Sequence, residues 1–138
     1  MSVFSKVKGL NNVQAGREFD LFGASSPTWG EINYYAFNVL SVEFHNELYG
    51  FVQAKAVAKD EKYFTEVGFE DYLVAAGFDQ DVIYNRLKKD GTIEICKRTL
   101  ATYIRNLIHH PENTNNTKYT DDELKKSIGK LIRLLGKK

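Results

Sequence analysis

Apolar positions recur along most of this chain at the spacing of helices. Ile32, Tyr35, Ala36, Val39, Leu40, Phe44, Leu48, Phe51 and Val52 follow the 3.6-residue period of one buried helical face. Ser26 before Pro27 suits a helix start, and Thr28 with Glu31 offers a capping box one step later. The pattern predicts one long helix to about Ala58, bent at Gly50. Upstream, Val3, Val7, Leu10 and Val13 predict a short helix within residues 1–17, and Gly16 to Pro27 reads as a loop.

Residues 62–78 read as a shorter helix closed by Gly77. Asp79 is placed to cap another, running through Leu87 to Lys89 and closed by Gly91. Thr92 is placed to cap the next, with Ile93, Cys96, Leu100, Ile104 and Ile108 as its buried stripe. Pro111 biases His110 out of the helical region, so this helix ends at the histidines. Residues 111–119 are a polar, asparagine-rich loop. Thr120–Asp121–Asp122–Glu123 is a capping box for a terminal helix with Leu124, Ile128, Leu131, Ile132 and Leu135 inward. No segment alternates convincingly with strand chemistry. The expected fold is an all-α bundle with long first and penultimate helices, shorter ones between, and a C-terminal helix. Residues 1–27 form an N-terminal segment in this plan, and residues 28–138 a single helical domain.

A length of 138 residues fits one domain with a core that needs no staples. The hydrophobic share of 43% and aromatic share of 13% describe a packed globule. A net charge of +1 argues against a broad nucleic-acid-coating surface, although Lys118 to Lys138 is locally basic. The lone Cys96 excludes an internal disulfide and a cysteine-rich zinc site, and reads as a packing thiol on a helical face. With neither a signal-peptide run nor an apolar stretch of membrane-spanning length, a cytoplasmic location away from membranes is expected.

The densest chemistry lies in Arg105–Asn106–Leu107–Ile108–His109–His110. A guanidinium can hold a phosphate by a bidentate fork, and an imidazole can move a proton near neutral pH. On a helical wheel Arg98, Thr102, Arg105 and His109 share one polar ridge. His110 falls about 140° from Arg105 on a regular helix, so the two can serve one ligand only if the helix breaks or a dimer seam intervenes.

Arginine, a polar residue and then histidine at this spacing resembles the signature of HEPN domains, with Arg105, Asn106 and His110 in the motif positions. The stretch from Arg105 to Asn116 is similar to HEPN members linked to phage defence, some associated with ATPases. The resemblance implies a metal-independent endoribonuclease, without cofactor, acting as a homodimer whose paired motifs form one cleft. It implies attack by the ribose 2′-hydroxyl, leaving a 2′,3′-cyclic phosphate and a 5′-hydroxyl. His110 and Arg105 would supply proton transfer and phosphate binding, with Asn106 orienting either group. The expected setting is a toxin or anti-phage effector with RNA as substrate and an antitoxin or ATPase as partner. Glu112 stands where some HEPN subgroups carry a tyrosine. His109, Arg98, Thr102 and Glu112 are auxiliary candidates, and Lys125 and Lys126 are candidates for steering RNA.

Plainer roles stand beside these. Arg105 can pair with Glu112, Arg98 with Glu94, and the histidines can cap a helix C-terminus. Thr102 can be solvated, and His45, between Glu43 and Glu47, can be a surface or partly buried residue. Of the aromatics, Tyr34 and Tyr49 are the expected exposed members. The competing functions are a non-catalytic helical module binding a nucleotide or an ATPase, and a DNA-binding regulator. The acids Glu66, Glu70, Asp71 and Asp81 weigh against the regulator.

Overall fold

The structure is a computed structural model that describes residues 29–37 and 40–136. The helix and loop expected within residues 1–27 lie outside the described residues. Element order is α1 (Trp29–Phe37), α2 (Val42–Lys59), a 3₁₀ turn (Glu61–Phe64), α3 (Glu66–Ala75), β1 (Val82–Leu87), β2 (Ile93–Arg98), α4 (Leu100–His109) and α5 (Asp121–Gly136). The protein is mainly helical, but the all-α expectation is corrected by an antiparallel hairpin.

The expected long first helix is two helices. Ser41 has an extended backbone and its hydroxyl accepts the Phe44 N–H at 3.1 Å, so it starts α2 as an N-cap. An apolar period can pass through such a break, because a cap changes the backbone without changing which side chains face inward. Gly50, the expected bend, lies inside α2. The core is built around Phe44, Leu48, Val52 and Ala56 of α2, four residues apart on one stripe. Phe69 and Leu73 of α3, Ala101 and Ile104 of α4, and Leu124, Ile128 and Leu131 of α5 pack on it.

Sequence and structure agree at α5, where the capping box is reciprocal. The Thr120 N–H donates to Glu123 Oε1 at 2.8 Å, and the Glu123 N–H to Thr120 Oγ1 at 3.1 Å. They agree again at α3, which starts on the Thr65 cap and is followed by Gly77 at φ 101°.

The hairpin replaces the helix expected from Asp79 to Gly91 and the first half of the one expected from Thr92. Asp90–Gly91 makes its turn. The Gly91 N–H bonds Lys88 O, Lys88 N–H bonds Thr92 O, and Gly91 sits at φ 88°, a conformation costly for a residue with a Cβ. Thr92 caps no helix, since Asp90 Oδ1 holds both its N–H and its hydroxyl. The strands pair from Val82 with Arg98 to Leu87 with Ile93. Cys96 is therefore a half-buried strand residue whose thiol reaches Tyr84 O, not a thiol on a helical face. The Thr99 hydroxyl caps α4 instead.

The asparagine-rich loop covers the free edge of β1 at Asn85. The Asn85 N–H donates to Asn116 Oδ1 at 2.8 Å, and Asn113 Nδ2 and Asn116 Nδ2 donate to Asn85 O at 2.8 and 3.0 Å. Asn85 Nδ2 in turn donates to Asn115 O at 3.1 Å. Side-chain amides here take the place of a third strand.

The turn into α3 tolerates no side chain at Gly68, where a Cβ would stand 2.0 Å from Lys62 O and 3.0 Å from the capping Thr65 hydroxyl. Gly68→Ala is expected to cost roughly 1–3 kcal/mol by forcing the 3₁₀ turn away from α3. The comparison is urea unfolding of the variant against Gly50→Ala, a helical position with nothing within 4 Å of the added Cβ.

Candidate functional site

The candidate residues gather around α4, whose inner face is fixed by a buried acid on α3. Glu70 is 1% exposed. Its Oε1 accepts the Thr99 N–H at 2.7 Å and Gln80 Nε2 at 3.0 Å, and its Oε2 accepts the Thr99 and Thr102 hydroxyls at 2.7 Å each. Thr102 is fully buried, not solvated, and its oxygen also meets the Tyr49 hydroxyl at 2.8 Å. Tyr49, expected at the surface, is 3% exposed, and burial outweighs the Thr102 hydrogen bond and nearby Arg105 to push its phenol up to about 12.

The face of the Tyr49 ring carries Arg105, whose guanidinium carbon lies 5.6 Å from the ring centroid. Arg105 Nη1 also donates to Asn106 Oδ1 at 3.4 Å. Among the described residues Arg105 makes no ion pair, so the expected link to Glu112 is absent. Asn106 is 1% exposed and lies on the inner side, where its amide contacts Arg105 and not solvent. Its Nδ2 makes no hydrogen bond among the described residues, although the amide is near enough to Glu66 to favour that carboxylate.

The helix stops where the wheel required. His109 is the last residue of α4, and His110 follows at φ −126° and ψ 67° as its C-cap, with its N–H still bonded to Asn106 O at 3.0 Å. Pro111 then occupies the second position of a turn closed by Asn113 N–H on His110 O at 3.0 Å. That turn folds Glu112 back, and its Oε2 meets His110 Nδ1 at 3.2 Å. The His110 side chain is 47% exposed. His109 is also exposed, and partial burial together with the charges of Arg105 and His110 lowers its pKa. Arg105, His109, His110 and Glu112 thus share the C-terminal end of α4.

The other auxiliary candidates lie elsewhere. Arg98 ends β2 and is not on the ridge with Thr102 and Arg105, because the ridge assumed a helix through residue 98. It pairs with Glu66, Nε to Oε2 at 2.6 Å, rather than with Glu94. Glu94 instead lies 3.7 Å from Arg86 Nε, and Arg86 also bonds Glu66. Burial opposes ionisation of Glu66, but the Arg98 hydrogen bond and the charges of Arg86 and Arg98 overcome it and hold the carboxyl below its usual range. Lys125 and Lys126 are exposed on α5, with Lys126 beside a shallow recess lined by Phe78, Asp79, Asp81 and Lys130. Among the described residues, no three His, Cys, Asp or Glu side chains stand close enough to hold a metal ion. No helix of the described residues is long and apolar enough to cross a membrane.

Sequence reasoning missed Tyr49 as the platform for Arg105, and Glu66 and Glu70 as the acids that organise the surroundings. Glu66 and Glu70 entered the sequence reading only as acids that weigh against DNA binding, and nothing in a helical period marks an acid that folding will enclose. Comparison with known proteins finds no matching family model, no matching curated protein and no matching solved structure. The HEPN resemblance therefore rests on Arg105, Asn106, His110 and the helical plan.

The third histidine serves the core. His45 is fully buried, contrary to expectation, with Nε2 2.7 Å from the Ser127 hydroxyl. Desolvation, only partly offset by neighbouring Asn46, lowers its pKa from 6.5 to about 4. The unfolded chain therefore takes up the proton first. Stability from neutral His45 is complete above pH 6.5 and falls as pH drops toward 4, by roughly 3 kcal/mol in all. Glu66, whose folded pKa is lowered from 4.5, adds its own loss only at more acid pH. Unfolding free energies measured between about pH 5 and 7 should slope upward with pH in the wild type and flatten in His45→Phe.

Proposed function

We propose that this protein is a metal-independent endoribonuclease of HEPN-like plan, serving as a toxin or anti-phage effector. The observation that carries the reading is the exposed His110–Glu112 pair on the same helix end as an arginine with no acidic partner among the described residues. Glu112 engages Nδ1, and Nε2 has no hydrogen-bond partner among the described residues, which leaves that nitrogen for proton transfer. In the reaction His110 Nε2 takes the proton of a ribose 2′-hydroxyl. The 2′-oxygen bonds to phosphorus, the bond to the 5′-oxygen breaks, and that oxygen takes a proton from solvent water as it leaves. Arg105 holds the phosphate and balances the charge that gathers on it. Asn106 acts from below the surface by fixing the Arg105 guanidinium.

Purified protein incubated with RNA in excess EDTA is expected to release 2′,3′-cyclic phosphate ends. His110→Ala should slow cleavage by roughly a hundredfold or more, the scale of general acid–base catalysis. Glu112→Gln, which replaces the carboxylate that meets His110 Nδ1, should slow cleavage by a smaller factor. Cleavage unchanged in His110→Ala would overturn the site. RNA left intact by wild type would favour the non-catalytic module.

A further inference from the structure

The two edges of the hairpin are treated differently. Cross-strand pairing from Val82 with Arg98 onward, together with the Lys88–Thr92 bond, turns the N–H and C=O groups of Ile93, Ile95 and Lys97 away from β1. The matching groups of β1 are closed at Asn85 by the asparagine loop. On β2, among the described residues, the outward groups find no backbone partner, and only Lys97 O is touched, by Arg98 Nη1 at 2.9 Å. The same edge carries Ile95 at 70% exposure and Ile93 at 42%, with Ile83 and Leu87 beside them on the outer face at 49% and 37%. An open strand edge flanked by exposed isoleucines is a template for another strand.

We infer that β2 pairs antiparallel with β2 of a second copy of this chain, about a twofold axis at Cys96. Charge selects the second copy and the register. Centred on Cys96, Glu94 lies opposite the partner's Arg98, and Arg98 opposite the partner's Glu94. Centred on Ile95, Glu94 would face the partner's Cys96. Shifted the other way, to Lys97, the two Lys97 side chains would face each other, and centred on Glu94 the two Glu94 side chains would, each a repulsive pair. The Glu94 side chain is 53% exposed, and Arg98, 13% exposed and held by Glu66 through Nε, reaches the edge with Nη1, which bonds Lys97 O there. In the chosen register Ile95 and Lys97 exchange backbone hydrogen bonds with the partner's Lys97 and Ile95, and the two Ile95 side chains meet diagonally. The result is a four-stranded sheet in the order β1–β2–β2–β1, with the asparagine loops at opposite margins. The inference does not depend on RNA cleavage: this pairing sets the two His110 on opposite margins, a seam distinct from the paired-motif cleft that the HEPN resemblance implies.

The test is sedimentation of the full chain over a wide concentration range under reducing conditions. Wild type should self-associate to a dimer. Ile95→Pro removes an outward N–H without touching the β1–β2 ladder, and should weaken association by roughly tenfold to a hundredfold with an unchanged circular dichroism spectrum. Glu94→Arg should weaken it as well, by setting like charges together. Mild oxidation should cross-link wild type through Cys96, because directly opposed residues of a non-hydrogen-bonded pair lie within disulfide reach. A wild type that stays monomeric, or a dimer indifferent to both substitutions, would overturn the inference. A dimer that refuses the Cys96 cross-link would overturn its register.

Discussion

The fold depends on one buried carboxylate. Glu70 gathers the end of β2, the cap of α4, the first turn of α4 and, through Thr102, the phenol of α2 onto a single side chain of α3. A carboxylate removed from water is tolerable only when donors replace its hydration, and Thr99, Thr102 and Gln80 do so. The same contacts decide the topology. Thr99 must leave the strand where its N–H and hydroxyl can both reach Glu70, which sets where β2 ends and α4 begins. Removing the acid would strand buried hydroxyls, which costs more than losing ordinary hydrogen bonds.

From this anchor the order spreads to the surface. Thr102 holds the Tyr49 hydroxyl, the Tyr49 ring carries Arg105, and Arg105 leans on buried Asn106. A long, rotamer-rich side chain is held from below by a ring face and an amide oxygen, with no salt bridge among the described residues. The histidine half of the site is set by different means. Pro111 ends α4, and the turn it directs brings Glu112 to His110. That loop is in turn pinned by Asn85 and by the Tyr103 hydroxyl on Thr117 O at 2.5 Å.

Local chemistry written within a few residues was legible in the sequence. The Thr120–Glu123 box, the glycine stop after α3 and the end of a helix at Pro111 are all set by neighbours along the chain. The hairpin was hidden because Leu100, Ile104 and Ile108 carry a true helical period that extrapolates backward through Cys96 to Ile93. The turn at Asp90–Gly91 and the β-branched residues at 82, 83, 93 and 95 were the contrary signal, but Asp79 and Thr92 resembled helix caps. In the site, the positions of Arg105, His109 and His110 at a helix end were readable, while their surroundings were not. Tyr49, Glu66 and Glu70 come from other elements, and only folding brings them to α4. Arg98 was misplaced for the same reason as the hairpin.

The allotment of charge explains why an arginine is left over. Glu66 is shared by Arg86 and Arg98, which hold its carboxyl ionised against the cost of burial. Glu112, the nearest acid in sequence to the motif, is drawn to His110 by the proline turn. Glu70 is enclosed and filled by hydroxyl, amide and backbone donors. These three acids are committed to other partners, and Arg105 settles on an aromatic ring. A guanidinium over a ring keeps its charge and most of its N–H donors. It can therefore bind an anion without first breaking an ion pair, and so avoids the desolvated-partner penalty that a pre-formed salt bridge would impose.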